Sequence, residues 1–196
     1  MKRSFPVFTC AVAFALAVPA LCQTDSGEIK SELRNPRKWA ISVEGGANSL
    51  SSIAGPVATL YAHPQMAVDL GLGISKVGPR LGFRTRYLFS REKMAYFAGL
   101  GLKHGFGWDD RDVEVDDPDS DGNINLRIES GTYLDLMAGA EYLANNGFLL
   151  IVNVGYSKML ALFYELPADS GYSRDTIESS VLGSGILFSV SLGKAF

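Results

Sequence analysis

Two neighbouring segments, Met66–Ser75 and Arg80–Phe89, alternate between large, mostly apolar residues and small or charged ones. Side chains that alternate with a period of two point to opposite faces of a β-strand. One face of this pair is apolar, and the other carries glycines together with Asp69, Arg84 and Arg86. Such a face is too polar for contact with lipid and too charged for an oily core. The pattern therefore predicts the wall of a narrow membrane barrel, with the apolar face toward lipid and the polar face toward the lumen.

The N-terminus has the pattern of a secretory signal peptide. A basic start precedes an apolar stretch, and Ala20 and Cys22 place small residues before Gln23. The stretch is too short for a spanning helix, so we expect residues 1–22 to be cleaved. The polar residues 23–37 are then a periplasmic tail. A second interpretation makes Cys22 the acylated cysteine of a lipoprotein, although the residue before it is bulkier than lipoprotein signals usually place there.

Cleavage of this leader removes both cysteines, Cys10 and Cys22, from the mature chain. Disulfides, cysteine catalysis and cysteine zinc sites are then excluded. The mature chain keeps 16 of the 18 basic residues against 21 acidic ones, a net charge near −5. It shows no basic patch, so we do not expect nucleic acid as a partner.

Six further segments show the same alternation, which makes eight strands. The inward face of the second strand is ambiguous, because both of its faces are apolar enough for lipid. An even number of strands places both ends of the barrel on one side of the membrane. We predict an all-β fold, an eight-stranded antiparallel up-and-down transmembrane β-barrel over residues 38–196. Its strands are expected at residues 38–48, 54–62, 66–75, 80–89, 94–105, 128–143, 148–157 and 181–196.

The connections alternate in length as such a barrel requires. Tight periplasmic turns are expected at His63, Ser90 and Asn145, the last within an Asn-Asn-Gly hairpin signal. Long extracellular loops are expected at 106–127 and 158–180. The first part of 158–180 either extends the seventh strand or forms an exposed apolar interaction patch. Six aromatic residues fall at the predicted periplasmic strand ends, as in an interfacial girdle: Trp39, Tyr87, Phe89, Tyr96, Tyr142 and Phe196.

Four segments carry a resemblance to small outer-membrane barrels: MAVDLGLGIS, GPRLGFRTRYLF, YFAGLGL and GILFSVSLGKAF. The chain resembles the outer-membrane-protein A transmembrane domain and OmpX- and OmpW-like proteins over residues 38–196. This resemblance implies a location in the bacterial outer membrane and three kinds of partner: outer-membrane lipid with lipopolysaccharide, the barrel-assembly machinery, and an extracellular ligand of the loops. Lys194 departs from the family pattern. The residues that resemble the assembly signal are Phe188, Val190, Leu192 and Phe196.

Charged residues on the inward faces predict a network inside the barrel. The opposite parity of the third and fourth strands requires a two- or four-residue hairpin, which places Asp69 opposite Arg84 or Arg86. The main interpretation is a plug of salt bridges, and the alternative is a gated ion path. The predicted network contains Glu44, Asp69, Arg80, Arg84, Arg86, Asp135 and Glu141.

The acidic loop contains a partial calcium motif. Asp117, Asp119 and Asp121 alternate before Gly122, as in the first half of an EF-hand loop. The match then fails, because the twelfth position is Ile128 rather than an acid. Two interpretations stay open: a solvated acidic loop, and a weak calcium site of the millimolar kind found in extracellular proteins. We expect no other cofactor.

Catalysis has little support in the sequence. His63 falls in a turn, and His104 has no serine partner that the sequence reveals. We therefore expect a structural or surface-interaction protein that acts through its extracellular loops, and not an enzyme. The alternatives are a narrow channel or transporter for small solutes, as the resemblance to OmpW-like proteins implies, a lipid-modifying barrel enzyme, and a soluble lipocalin-like barrel.

Overall fold

A computed structural model describes residues 36–75, 78–107, 112–116, 123–165 and 184–196. None of these residues belongs to a helix long and apolar enough to cross a membrane. The described ranges form nine strands: β1 (Trp39–Ser49), β2 (Ser52–His63), β3 (Met66–Ser75), β4 (Gly78–Leu88), β5 (Met94–Gly105), β6 (Asp112–Asp116), β7 (Asn123–Leu143), β8 (Phe148–Glu165) and β9 (Gly185–Ala195).

Eight of these strands close into an antiparallel barrel. Strands β1 to β5 pair in sequence order, β5 pairs with β7, and β7, β8 and β9 continue the wall. The pairing of β9 with β1 completes the cylinder. The predicted all-β, eight-stranded antiparallel barrel is confirmed. A closed wall pairs the backbone groups of every barrel strand on both sides, so it leaves no free sheet edge.

The ninth strand, β6, corrects the predicted loop at 106–127. Residues 112–116 pair with residues 123–127, so this segment contains a hairpin and is not a loop throughout. The alternation of valine with acids in DVEVD is a strand pattern, but the density of acids favoured a loop. The first part of the predicted 158–180 loop also extends a strand, since β8 continues to Glu165 against β7.

The register of β3 and β4 follows the parity of their sequences. Ser75 pairs with Gly78, which selects the two-residue hairpin, and Asp69 pairs with Arg84. The facing of β2 is also settled: Val57, Thr59 and Tyr61 are buried, and the residues between them are exposed. The β-branched and aromatic set of β2 therefore points into the barrel.

The barrel is inside-out compared with a soluble protein. Leu70 is 50 % exposed, whereas Arg84 is 1 % exposed. Along β3, β5 and β9, most large apolar side chains face out and most small or charged ones face in; exceptions include Phe97 and Leu187, which face in, and Lys194, which faces out. In a soluble barrel this order would be reversed, because apolar side chains would fill the core.

The barrel has two distinct ends. The terminal end carries Phe196, the start of β1 and the turns that join β2 to β3, β4 to β5, and β7 to β8. The opposite end, which we call the loop end, carries the other four connections. The six aromatic residues predicted for a girdle are all exposed near the terminal end. Trp39 stacks on Phe196 with ring centroids 4.5 Å apart, and Tyr87 lies edge-on to Phe89 at 5.6 Å.

Candidate functional site in the barrel lumen

The terminal end of the lumen is closed by an apolar floor. Each of the eight barrel strands contributes one buried side chain close to its terminal end, and these side chains belong to a single apolar cluster. Side chains fill the interior of an eight-stranded barrel because its radius is small. The floor consists of Ala40, Tyr61, Ala67, Leu88, Ala95, Leu143, Leu149 and Ala195.

Asp69 is the hub of a charge network that lies above this floor. Arg84 Nε approaches Asp69 Oδ2 at 2.6 Å, and Arg86 Nε approaches the same oxygen at 2.7 Å. Arg86 Nη2 donates to Asp69 Oδ1 at 2.9 Å, and the Thr59 hydroxyl donates to that oxygen at 2.7 Å. The register of β2, β3 and β4 produces this geometry, because Thr59 and Arg84 both pair with Asp69.

Two glutamates extend the network to strands β1 and β7. Arg84 Nη2 lies 2.8 Å from Glu44 Oε2 on β1, and Arg86 Nη1 pairs with Glu141 Oε2 on β7. The Tyr61 hydroxyl donates to Glu141 Oε1 at 3.0 Å. The two arginines and their three acidic partners are all at most 1 % exposed, so each charge depends on its neighbours instead of on water.

The connection between β1 and β2 folds into the lumen. Leu50, at 1 % exposure, lies against Gly71 and Gly82, where an added Cβ would come within 2.9 Å and 2.5 Å of its side chain. The Leu50 N–H donates to Glu44 Oε1 at 2.8 Å, and the Ser51 hydroxyl donates to the Glu44 carbonyl at 2.8 Å. We call residues 48–51 the inward turn. The glycines of β3 and β4 make room for it.

A second charged group lies on the loop side of the network. Lys103 Nζ is 2.9 Å from Asp135 Oδ1 and donates to the Ser157 hydroxyl at 3.2 Å. Lys103 also donates to the Asn48 carbonyl at 2.5 Å, which ties the inward turn to β5. The Arg80 guanidinium lies 5.0 Å from the centre of the Tyr133 ring. Cations favour the face of an aromatic ring, so Tyr133 orients Arg80.

The predicted lumen residues thus separate into two groups. Glu44, Asp69, Arg84, Arg86 and Glu141 form one continuous network. Asp135 pairs instead with Lys103, and Arg80 makes no ion pair with an acid of the described ranges. The buried charged residues of these ranges are four acids and four bases: Glu44, Asp69, Asp135 and Glu141 with Arg80, Arg84, Arg86 and Lys103. The described lumen is therefore electrically balanced.

Several lumen residues were missed by the sequence analysis. Lys103 follows the outward-facing Leu102, so the alternation of β5 already placed it inside. Thr59 and Tyr61 were hidden by the ambiguous facing of β2. The inward turn had no sequence signal of its own, because a short polar connection is normally exposed.

Other sequence predictions fall on residues that the structure does not describe. Asp117, Asp119 and Asp121 lie outside the described residues, as do the expected signal peptide and both cysteines. Within the described ranges, no group of three histidine, cysteine or acidic side chains is close enough to hold a metal ion.

The histidines occupy different surroundings. His63 Nδ1 accepts from the Gln65 N–H at 3.3 Å inside the turn. His104 Nδ1 lies 2.9 Å from the Thr132 hydroxyl on the neighbouring strand β7. The four residues of the predicted assembly signal are on β9 or directly after it, and Phe188, Leu192 and Phe196 are exposed on the outer wall.

No family model matches this chain, and a search of curated proteins finds no significant match.

Proposed function

We propose that this chain is an integral outer-membrane β-barrel with a structural or surface-interaction role carried by its extracellular loops. The supporting observation is the reversal of its two faces: eight charged residues are buried inside together with glycines and an apolar cluster, and leucine, isoleucine, valine and aromatic side chains cover most of the outside. Exposing that outer surface to water would be costly, since each apolar Å² carries about 25 cal/mol. Acyl chains remove this cost.

The dimensions of the wall support the same proposal. Strand β3 has ten residues, all alternating in apolar and small or charged character. At about 3.3 Å per residue and a tilt of about 40°, such a strand spans roughly 25 Å along the barrel axis. This height corresponds to the apolar band of outer-membrane barrels. The girdle at the terminal end then lies at the periplasmic interface, where amphipathic rings are favoured.

The filled lumen favours a structural role over transport. The floor closes one end, the charge network crosses the middle, and the inward turn occupies the space above it. A channel or transporter for small solutes would have to displace at least the floor and the inward turn. With the lumen occupied, partners are expected at the outer wall and at the loops. These partners are outer-membrane lipid and lipopolysaccharide, the barrel-assembly machinery, and an extracellular ligand.

Folding into lipid vesicles tests this proposal. Residues 23–196, diluted from urea into phosphatidylcholine vesicles, are expected to give a protease-resistant form whose gel mobility changes on boiling. Leu136→Asp places a charge on the outer face of β7 and is expected to lower stability in vesicles. Charges near the bilayer midplane cost about 2–4 kcal/mol for arginine or lysine and less for acids. Folding in buffer without lipid, with the aspartate variant unaffected, would contradict the proposal.

Conductance in planar bilayers separates the structural role from transport. The inserted barrel is expected to show no steady channel openings, because its lumen is occupied from floor to inward turn. The comparison is a variant that replaces the inward turn, residues 48–51, with glycines. Steady openings of the wild-type barrel that disappear when Asp69 is replaced would favour the channel.

A further inference from the structure

Polar side chains interrupt the apolar outer wall at one location near the loop end. His104 on β5, Thr132 on β7 and Lys158 on β8 belong to three adjacent strands. His104 and Thr132 are paired residues, and Lys158 pairs with Leu134, two positions from Thr132. Lys158 is exposed, and it forms no ion pair with a described acid.

These three residues lie at one level of the wall. Each is ten or eleven positions from the terminal end of its strand: His104 is ten from Met94, Thr132 eleven from Leu143 and Lys158 ten from Phe148. Ten positions correspond to roughly 25 Å along the axis of a tilted barrel. This is the height of the apolar band, so the cluster lies at its outer boundary. Headgroups, rather than acyl chains, occupy that level.

The chemistry of the cluster is that of an anion site. Lys158 supplies a positive charge and three donors. His104 Nδ1 is 2.9 Å from the Thr132 hydroxyl; when that hydroxyl donates, the ring proton lies on Nε2 and remains available to an acceptor. Phosphate oxygens are strong acceptors for such donors.

The surroundings of the cluster select a lipid over a soluble anion. The His104 ring lies edge-on to Phe106 at 4.8 Å. Leu134, Tyr156 and Leu160 are exposed on the neighbouring wall. A ligand with both a phosphate and acyl chains would contact Lys158, the His104 ring proton and the apolar wall together.

We propose that His104, Thr132 and Lys158 form a binding site for the phosphate of an outer-leaflet lipid, of the phosphomonoester class carried by phosphorylated glycolipids. The site rests on the proposed membrane insertion, because the three residues lie at the level of lipid headgroups only if the barrel is inserted in a bilayer. It goes beyond that proposal by naming the residues and the headgroup chemistry. A basic side chain at a membrane surface contributes about fivefold to the affinity for anionic lipid, equivalent to ~1 kcal/mol.

Native mass spectrometry of the folded barrel tests the site with defined lipids. Phosphatidic acid is the phosphomonoester probe, and phosphatidylcholine is the neutral comparison. We expect the wild type to retain phosphatidic acid preferentially. Lys158→Ala should reduce that preference about fivefold, the double variant His104→Ala/Thr132→Val should also reduce it, and Lys158→Arg should retain it. The matched control is Lys194→Ala, which removes a lysine from the outer wall at the opposite end.

Three outcomes would overturn the site. The first is an unchanged preference in the Lys158→Ala barrel. The second is an equal loss in the Lys194→Ala control. The third is displacement of phosphatidic acid by millimolar inorganic phosphate, which would assign the cluster to a free anion. Each variant is first checked for its boiling-dependent gel shift in vesicles. Loss of the lipid preference in a folded barrel therefore differs from failure of membrane insertion.

Discussion

Replacement of Arg86 by methionine is expected to lower the free energy of unfolding by about 3–5 kcal/mol. The Arg86 guanidinium contacts Asp69 through two nitrogens and also pairs with Glu141. Methionine fills similar space but removes the guanidinium charge from both Asp69 and Glu141. A buried charge without its partner is strongly destabilising, because water cannot replace the lost interaction.

Urea unfolding of the barrel in vesicles, followed by tryptophan fluorescence, measures this loss. The matched control is Arg91→Met, which removes a guanidinium from the turn between β4 and β5, where it donates to Gln65. A partly exposed group of that kind contributes at most about 1 kcal/mol. Equal losses in the two variants would show that the lumen network does not stabilise the barrel.

A double variant identifies the cause of the loss. Adding Glu141→Gln to Arg86→Met removes a carboxylate charge that Arg86 had balanced, so part of the lost stability should return. Removal of a buried pair is often close to neutral, whereas removal of one partner is costly. If the double variant is no more stable than Arg86→Met, the loss comes from packing and not from the excess carboxylate charge.

Much of the barrel could be predicted from the sequence because its two faces differ so strongly. The register of β3 and β4 followed from parity. Inward residues are odd-numbered on β3 and even-numbered on β4, so the numbers of two directly paired residues must have an odd sum, as those of Asp69 and Arg84 do. A one-residue slip would turn the leucines of both strands into the lumen. Strand boundaries were less predictable, because β7 and β8 continue beyond their apolar segments.

The composition of the lumen could be predicted only in part. The sequence pattern identified the charged positions, but it could not show which acid pairs with which base across the barrel. That pairing depends on strand tilt and side-chain reach, so Asp135 joins Lys103 and not the main network. The apolar floor also escaped prediction, because its members are single residues at the ends of eight separate strands.

The inward turn depends on contacts distant in sequence. Leu50 fits into the lumen because Gly71 and Gly82 lack side chains, and Lys103 holds the turn from β5. Glu44 joins the turn to the charge network, since it accepts from the Leu50 N–H and pairs with Arg84. The turn and the network therefore form one connected unit, and a change that expels the turn should also weaken the network.

Gly73→Ala is expected to expel the inward turn. A methyl group at Gly73 would overlap the backbone carbonyl of Ser51, and backbone cannot rotate away as a side chain can. Overpacking of this kind costs about 1–3 kcal/mol. Because the charge network and the floor lie deeper in the lumen, we expect the barrel to remain folded while the turn moves outward.

Cysteine labelling detects this movement. Ser51→Cys is introduced into residues 23–196, which contain no other cysteine, and a membrane-impermeant maleimide is added to the folded barrel in vesicles. Ser51 is fully buried, so the wild-type background should react slowly. If Gly73→Ala destabilises the inward position of the turn by about 1–3 kcal/mol, the fraction of barrels whose cysteine is accessible to maleimide rises by about 5–150-fold.

Gly101→Ala is the matched control, because it adds the same methyl group to another inward glycine. The atoms nearest to that methyl would be the Phe83 carbonyl oxygen at 3.3 Å and Asp135 Cβ at 3.4 Å, so little has to move. Its labelling rate should stay close to that of the wild type. Slow labelling in both glycine variants would show that the turn does not depend on the space at Gly73. Fast labelling of the Ser51→Cys barrel with both glycines intact would place Ser51 outside the lumen. The inward turn would then not contribute to filling the lumen.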